Sequence, residues 1–259
     1  MILETAKVLE QRHFINKGTE NFHLLTLFAP NIAREAKPGQ FVMVKVDYTL
    51  DPFLRRPFSI FFCEGEKIAL LYKMVGKGTN LMSNWRGGEE ISVLGPLGRG
   101  FQILPEFPQW LVAGGAGIAP LCFLGSELIK KGVSFKIIWG LRYKVREDLI
   151  DLLHEKLGSL IIYTEDGSVG YQGLVTSGVE ALYEKQKPAG IYACGPWPML
   201  KALAFWTEKE NIPMQVSLET QMACGIGACL GCIIEGKDGY KKLCQQGPVF
   251  KAEEIKWER

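Results

Sequence analysis

Four cysteines near the C-terminal end constrain this chain more than any other feature. Within MACGIGACLGCIIEGKDGYKKLCQQGPVF, residues 222–250, they stand at Cys224, Cys229, Cys232 and Cys244. The gaps of four and then two residues, with a distant fourth cysteine, are the plant-type spacing for a [2Fe–2S] cluster. Such a cluster needs a loop wrapped tightly around it, with backbone N–H groups turned toward the sulfurs. Gly225, Gly227 and Gly231 lie between the ligands, where sharp turns and close approach are expected. Zinc is the first alternative, but structural zinc sites usually pair their cysteines as C-x2-C with C-x2-C. Disulfides are the second, but the total of seven cysteines is odd. Cys63, Cys122 and Cys194 are scattered singly and read as ordinary packed thiols.

The 259 residues leave room for two domains before this segment. Residues 1–100 read as β structure. Runs over 22–28, 41–46, 56–62 and 68–75 are rich in β-branched and aromatic residues, and turn signals at 16–18, 38–39, 64–65 and 76–78 separate them. A small antiparallel barrel is expected, with a short helix over 79–85 capped by Gly78 or Thr79. Pro96, Gly98 and Gly100 then read as an inter-domain connection. Two motifs in this half could bind a flavin. Arg56-Pro57-Phe58-Ser59 offers a cation for phosphate and a hydroxyl for a ring system. Leu71-Tyr72-Lys73 leads to Gly78-Thr79, where helix N-terminal amides could face a pyrophosphate. Taken alone, R-P-F-S reads sooner as a basic turn feeding an ordinary strand.

Residues 101–219 change to alternating strands and helices. Strands are expected over 110–113, 134–140, 160–164, 191–194 and 214–218, and helices over 120–131, 147–157, 174–185 and 198–208. This alternation implies a doubly wound parallel sheet, with ligands at the carboxyl ends of its strands. Gly114-Gly115-Ala116-Gly117 follows the first strand, which suits a pyrophosphate although it is not the full dinucleotide fingerprint. Cys194-Gly195-Pro196 ends another strand and should face the same crevice. Glu165 and Asp166 end the third strand, where acids can bond a ribose 2′-hydroxyl and repel a 2′-phosphate. They favour NAD over NADP, while Arg142 and Lys144 stand against that preference.

Residues 107–126 carry no charge, but Pro108, Pro120 and four glycines make a strand, turn and helix start a better reading than a membrane span. The first residues carry no apolar stretch followed by a cleavage site. The net charge of +2 argues for no nucleic-acid partner. A cytoplasmic protein with reduced thiols is expected.

R-P-F-S, G-G-A-G-I-A-P, C-G-P-W-P-M and the cysteine segment, in that order, resemble the ferredoxin–NADP reductase superfamily. Within it, M-A-C-G-I-G-A-C-L-G-C, the late C-Q-Q-G-P-V-F and D-G-S-V-G-Y-Q-G-L-V-T most resemble the electron-transfer subunits of type B dihydroorotate dehydrogenases. That resemblance spans nearly the whole chain. It implies FAD on residues 1–100, held by Arg56, Pro57, Phe58, Ser59, Leu71, Tyr72, Lys73, Gly78 and Thr79. It implies NAD on residues 101–219, where the turns and strand ends read above make Gly114, Gly115, Gly117, Glu165, Asp166, Cys194, Gly195 and Pro196 the candidate site. It implies a [2Fe–2S] cluster on residues 220–259, ligated by Cys224, Cys229, Cys232 and Cys244. It further implies an FMN-containing catalytic partner that oxidises dihydroorotate in pyrimidine biosynthesis, assembled as a heterotetramer. Electrons would then run from FMN through the cluster and FAD to NAD+. A sister reading is an NAD(P)H:ferredoxin oxidoreductase or a sulfide dehydrogenase subunit, and a non-catalytic redox sensor is a third. The family often carries a bulkier residue at Gly231 and a further glycine at Ala116. The partner is expected on an apolar face made by residues 230–234 and the tail over 247–250.

Overall fold

The computed structural model describes residues 1–15, 17–106 and 108–258. Asn16, at the head of the first expected turn, and Phe107, at the head of the uncharged run, lie outside the described residues.

The first hundred residues form seven strands: β1 (Ile2–Phe14), β2 (Phe22–Phe28), β3 (Phe41–Val44), β4 (Arg56–Ser59), β5 (Phe62–Glu64), β6 (Lys67–Tyr72) and β7 (Glu90–Leu97). They pair antiparallel in the order β4-β3-β7-β1-β2-β6-β5. β4 and β5 lie on opposite edges, yet only Ile60 and Phe61 separate them. The sheet must therefore curl until its edges meet, and the two linking residues are fully buried. Inward-facing Val8, Leu25, Leu27, Val42, Val44, Leu70 and Val93 fill the barrel.

The single run expected over 56–62 is two strands, β4 and β5, and two further barrel strands, β1 and β7, escape a reading based on apolar density. β1 carries charge along most of its length, and alternation alone buries Ala6 and Val8. Its Glu4 is buried too, because its carboxylate accepts N–H groups from Asn31 and Ile32 at 3.1 and 2.9 Å. These are unpaired amides of the first turn of α1 (Pro30–Glu35), so an acid on one element caps the next. β7 runs through Pro96, which was expected in a connection; Gly98 beyond it makes the break.

The second unit places β8 (Gln109–Gly114), β9 (Phe135–Leu141), β10 (Leu160–Thr164), β11 (Tyr171–Gln172), β12 (Gly190–Cys194) and β13 (Met214–Ser217) in one sheet. The order is β11-β10-β9-β8-β12-β13, all parallel. Helices α3 (Ile118–Lys130) and α4 (Glu147–Leu157) cover one face; α5 (Val175–Tyr183) and α6 (Trp197–Lys209) cover the other. The period-2 pattern of β8 serves both faces: Leu111 and Ala113 join the first core, Trp110 and Val112 the second. The chain leaves β8 in one direction toward β9 and returns to its other side as β12. The switch point therefore lies between the ends of β8 and β12, where the two glycine motifs stand.

The last segment adds a hairpin of β14 (Ile233–Gly236) and β15 (Gly239–Lys242), a single turn α7 (Leu243–Gln246) and β16 (Val249–Lys251). β16 pairs antiparallel with β13 and becomes the far edge of the parallel sheet. Arg99 N–H donates to the Gly247 carbonyl at 2.5 Å, which ties the same segment to the end of the barrel. Among the described residues no helix is long and apolar enough to cross a membrane.

Candidate functional site

The four spaced cysteines meet at one place, between barrel and sheet. Cys232 and Cys244 are buried, Cys224 is half-buried and Cys229 is exposed. Their thiols lie in two pairs within hydrogen-bonding reach, Cys224 with Cys229 and Cys232 with Cys244. Ile226 and Cys229 N–H groups donate to Cys224 Sγ, and Gly231 N–H donates to Cys229 Sγ, each at 3.4 Å. Burial pushes the Cys224 thiol up, but the amides of Ile226 and Cys229 outweigh it and bring the group down to about 6. Burial, reinforced by Cys232, pushes Cys244 up to about 12. One thiol is thus prepared as thiolate, while the paired, buried one needs a cation to ionise.

A single zinc ion would draw four ligands onto one point. Among the described residues no group of three His, Cys, Asp or Glu side chains is arranged to hold one metal ion. Two pairs of thiols with amides aimed at sulfur fit two sulfide-bridged irons, so these residues could hold a [2Fe–2S] cluster. The loop is shaped by Gly225 and Gly227, at φ of 71° and 81°. Of the three glycines expected to turn the chain, Gly231 does not: Leu230 takes the left-handed conformation at φ 58°, and Gly231 has only Cys229 Sγ near it.

Met43 on β3 packs against Gly225. β3 pairs in turn with β4, placing Met43 opposite Pro57 and Val44 opposite Arg56. One strand therefore separates the thiol loop from R-P-F-S. Arg56 lies along Gly78, where an added Cβ would meet its Nε at 3.2 Å, so the two expected flavin motifs share one surface. The helix α2 (Lys77–Ser83) starts earlier than expected, with Gly76 as its cap. Thr79 is three residues further in. Its hydroxyl accepts from Val75 and Gly76 N–H, leaving the first-turn amides of residues 77–79 ahead of the first helical bond, Asn80 to Gly76. A cation beside first-turn amides suits a pyrophosphate. Pro57, Phe58 and Ser59 are half-buried beside it. Leu71 and Tyr72 are buried; Tyr72 stacks on His23 at 5.2 Å, meets Phe58 edge-on at 5.6 Å and takes a hydrogen bond from Gln11.

Between the two units lies a cleft of about 850 Å³, lined by Gly114, Gly115, Gly117, Glu165, Gly195 and Pro196 among others. The two glycine turns touch directly: a Cβ on Gly117 would strike the Cys194 carbonyl, and one on Gly195 would reach the Gly114 amide nitrogen at 2.9 Å. Only bare backbone fits there, which leaves both turns open to a ligand. Two expected residues lie elsewhere. Cys194 is fully buried beneath the Gly117 turn, and burial raises its thiol well above the usual range. Asp166 turns away into its own loop, where its carboxylate accepts from Ser168 Oγ at 2.6 Å and N–H at 3.1 Å.

Sequence reasoning missed Glu20, Trp139 and Glu219. Trp139 Nε1 donates to the Gly115 carbonyl at 2.9 Å and fixes that turn. Glu20 and Glu219 line the cleft, and burial pushes the Glu219 carboxyl up. Glu219 stands five residues before the first cysteine, a visible signal; Glu20 sits in a turn that carries none. The expected apolar face also differs. Ile226, Leu230 and Ile233 are exposed around the thiols, but Val249 and Phe250 are buried against β13.

A family model described as the iron-sulfur cluster binding domain of dihydroorotate dehydrogenase B matches residues 219–256. The chain is 39% identical over 246 residues to the electron transfer subunit of dihydroorotate dehydrogenase B (NAD(+)) of Desulforamulus reducens, covering 92% of this chain and 94% of that one. It is 43% identical over 226 residues to the protein of the same name from Caldanaerobacter subterraneus subsp. tengcongensis, covering 86% and 88%. Among solved structures, an NADH-dependent reduced ferredoxin-NADP oxidoreductase superposes with a TM-score of 0.83 at 26% identity, over 98% of this chain and 90% of that one. A ferredoxin NADP+ reductase from Neisseria gonorrhoeae, solved with FAD and NADP, gives 0.63 at 16% identity over 80% and 91%, a likeness of fold alone.

Proposed function

The chain belongs to the family of electron transfer subunits of dihydroorotate dehydrogenase B, and from that premise we propose that it carries electrons between a dihydroorotate-oxidising subunit and NAD+. In this reading it is an oxidoreductase subunit of pyrimidine biosynthesis, working in the cytoplasm. Its catalytic partner contains FMN, and two copies of each assemble as a heterotetramer. When bound, the [2Fe–2S] cluster supplies one-electron transfer, and FAD converts between single electrons and the hydride of NADH.

The chain's own residues hold and separate these groups. Cys224, Cys229, Cys232 and Cys244 are the ligands. Arg56 and the first-turn amides at Gly78 and Thr79 take the flavin pyrophosphate, while Pro57, Phe58, Ser59, Leu71, Tyr72 and Lys73 line its ring and ribityl. Gly114, Gly115, Gly117, Gly195 and Pro196 receive the dinucleotide, and Glu165 takes its ribose. Ile226, Leu230 and Ile233, exposed around the thiols, are the face for the partner. The observation that carries the reading is the paired thiols standing one strand from R-P-F-S, which supports a one-electron and a two-electron carrier held side by side.

The test is anaerobic reconstitution with the candidate FMN subunit. NADH should form from dihydroorotate and NAD+ only when both subunits are present. Cys244→Ser should abolish this coupled activity, while NADH oxidation with an artificial acceptor survives. A variant that still couples the two would take the cluster off the path. Flavin bleaching by NADH with no dihydroorotate-linked activity would favour a ferredoxin-linked or sulfide-linked reductase instead. A loaded chain that NADH cannot bleach would favour a redox sensor.

A further inference from the structure

We infer that His13 and His23 form a proton-sharing pair that positions the Tyr72 ring in the flavin site, so that flavin retention follows the charge on the pair. The inference rests on the reading above that Tyr72 lines the flavin. His13 on β1, His23 on β2 and Tyr72 on β6 stand directly opposite one another in the sheet register. Residues so placed share one face of the sheet and touch. The His13 and His23 rings meet edge-on at 5.0 Å, and His23 stacks on Tyr72 at 5.2 Å with 19° between the planes. Tyr72 in turn meets Phe58 of R-P-F-S at 5.6 Å. One row of rings therefore runs from exposed His13 to the flavin motif.

The contact between the two imidazoles fixes their protons. His13 Nδ1 lies 2.9 Å from His23 Nδ1. A hydrogen bond at that distance needs one proton between the nitrogens, because two bare nitrogens repel and so do two N–H groups. A first added proton leaves the bond intact: the charged ring donates and the neutral ring accepts. That charge belongs on His13, which water solvates, whereas His23 is 1% exposed. A second proton sets two N–H groups head to head and drives the rings apart. Tyr72 then loses the support that stands opposite Phe58. Burial, then His13, holds the His23 ring below the ordinary histidine value of 6.5, which puts any loss on the acid side of that value.

Nothing else near the pair takes the charge. His23 Nε2 is buried and bonds no group among the described residues. The other side chains facing the ring are Gln11 from β1 and Tyr72 from β6. Gln11 donates to the Tyr72 oxygen at 2.9 Å, and burial pushes the Tyr72 hydroxyl up to about 12, so neither changes charge where histidine does. The cations beside these residues in sequence turn to the other face of the strands. Arg12 lies over the Phe14 ring at 5.1 Å and Lys73 over the Phe22 ring at 4.9 Å, with Glu20 paired to Lys73 there.

The test is release of FAD from the loaded chain on dilution, read as recovered flavin fluorescence at about pH 7.5 and about pH 5.5. Each unit by which bound flavin lowers the pKa of the pair is about tenfold in affinity, so the parent should hold FAD about three- to tenfold more weakly at the acid value. His23→Phe keeps the stack and takes no charge. His13→Gln changes only an exposed side chain, and its amide oxygen can accept from a charged His23. Both variants should keep the two affinities within about twofold of each other. A parent with the same affinity at both values, or either variant keeping the parent's acid loss, would overturn the inference and leave the proposed function standing. A parent chain that retains no FAD at either value would overturn both.

Discussion

Gly227 and Gly231 sit four residues apart in the cysteine loop and look alike in the sequence, yet they have different duties. Gly227 is left-handed, and a Cβ there would lie 2.2 Å from the Gln245 side chain, whose amide holds the Ile226 carbonyl at 3.1 Å. Gly231 is not left-handed, and its added Cβ would meet only Cys229 Sγ at 3.5 Å. Gly227→Ala should therefore strain the loop by about 1–2 kcal/mol and lower iron and sulfide per chain, and Gly231→Ala should retain the full content. Iron and labile-sulfide analysis of the two purified variants measures the difference. The spacing of the cysteines was enough to find the loop. It could not say which neighbour bears the turn, because the left-handed residue between the second and third cysteines is Leu230 and not the glycine beside it.

At the scale of elements, five strands and the four helices of the doubly wound sheet were legible, while its short edge strand β11 and the barrel strands β1, β5 and β7 were not. Apolar density marks β8, β9 and β12, which are buried on both faces. β1 faces solvent on one side, and its buried acid is explained only by the helix it caps. How closely two elements approach was also hidden. α5 lies against β10 with Gly178 over the Tyr163 ring, where a Cβ would come within 2.4 Å. Gly178→Val should push that helix off the sheet and cost about 1–3 kcal/mol, read as a lower urea midpoint with an unchanged slope. If the midpoint holds, the helix moves freely and the contact is not tight.

At the scale of the molecule, the C-terminal segment is no appendage. β16 extends the parallel sheet, Gly247 bonds the barrel end, and Phe250 is buried in the core that Cys232 and Cys244 share with β8 and β12. Loss of packing there should reach the cluster loop. Phe250→Ala, which empties a buried ring site, should cost about 3–5 kcal/mol and bring loss of the cluster absorbance to lower denaturant together with the loss of helix signal. If cluster and helix signals separate widely in the variant but not in the parent, the segment unfolds on its own and the shared core does not couple them.

The sequence by itself determined the spaced set of four cysteines, the order of the three segments and the two glycine turns, because spacing, periodicity and composition are local properties of a chain. Tertiary structure alone decided that Cys194 lies beneath a turn while its neighbours Gly195 and Pro196 open onto the cleft. It alone paired four thiols as two and two. It alone set His13, His23 and Tyr72 in one row from positions that nothing in the sequence connects. These are matters of which surfaces face one another across an interface. A one-dimensional pattern shows which side of an element is apolar, but not which residue of another element stands opposite.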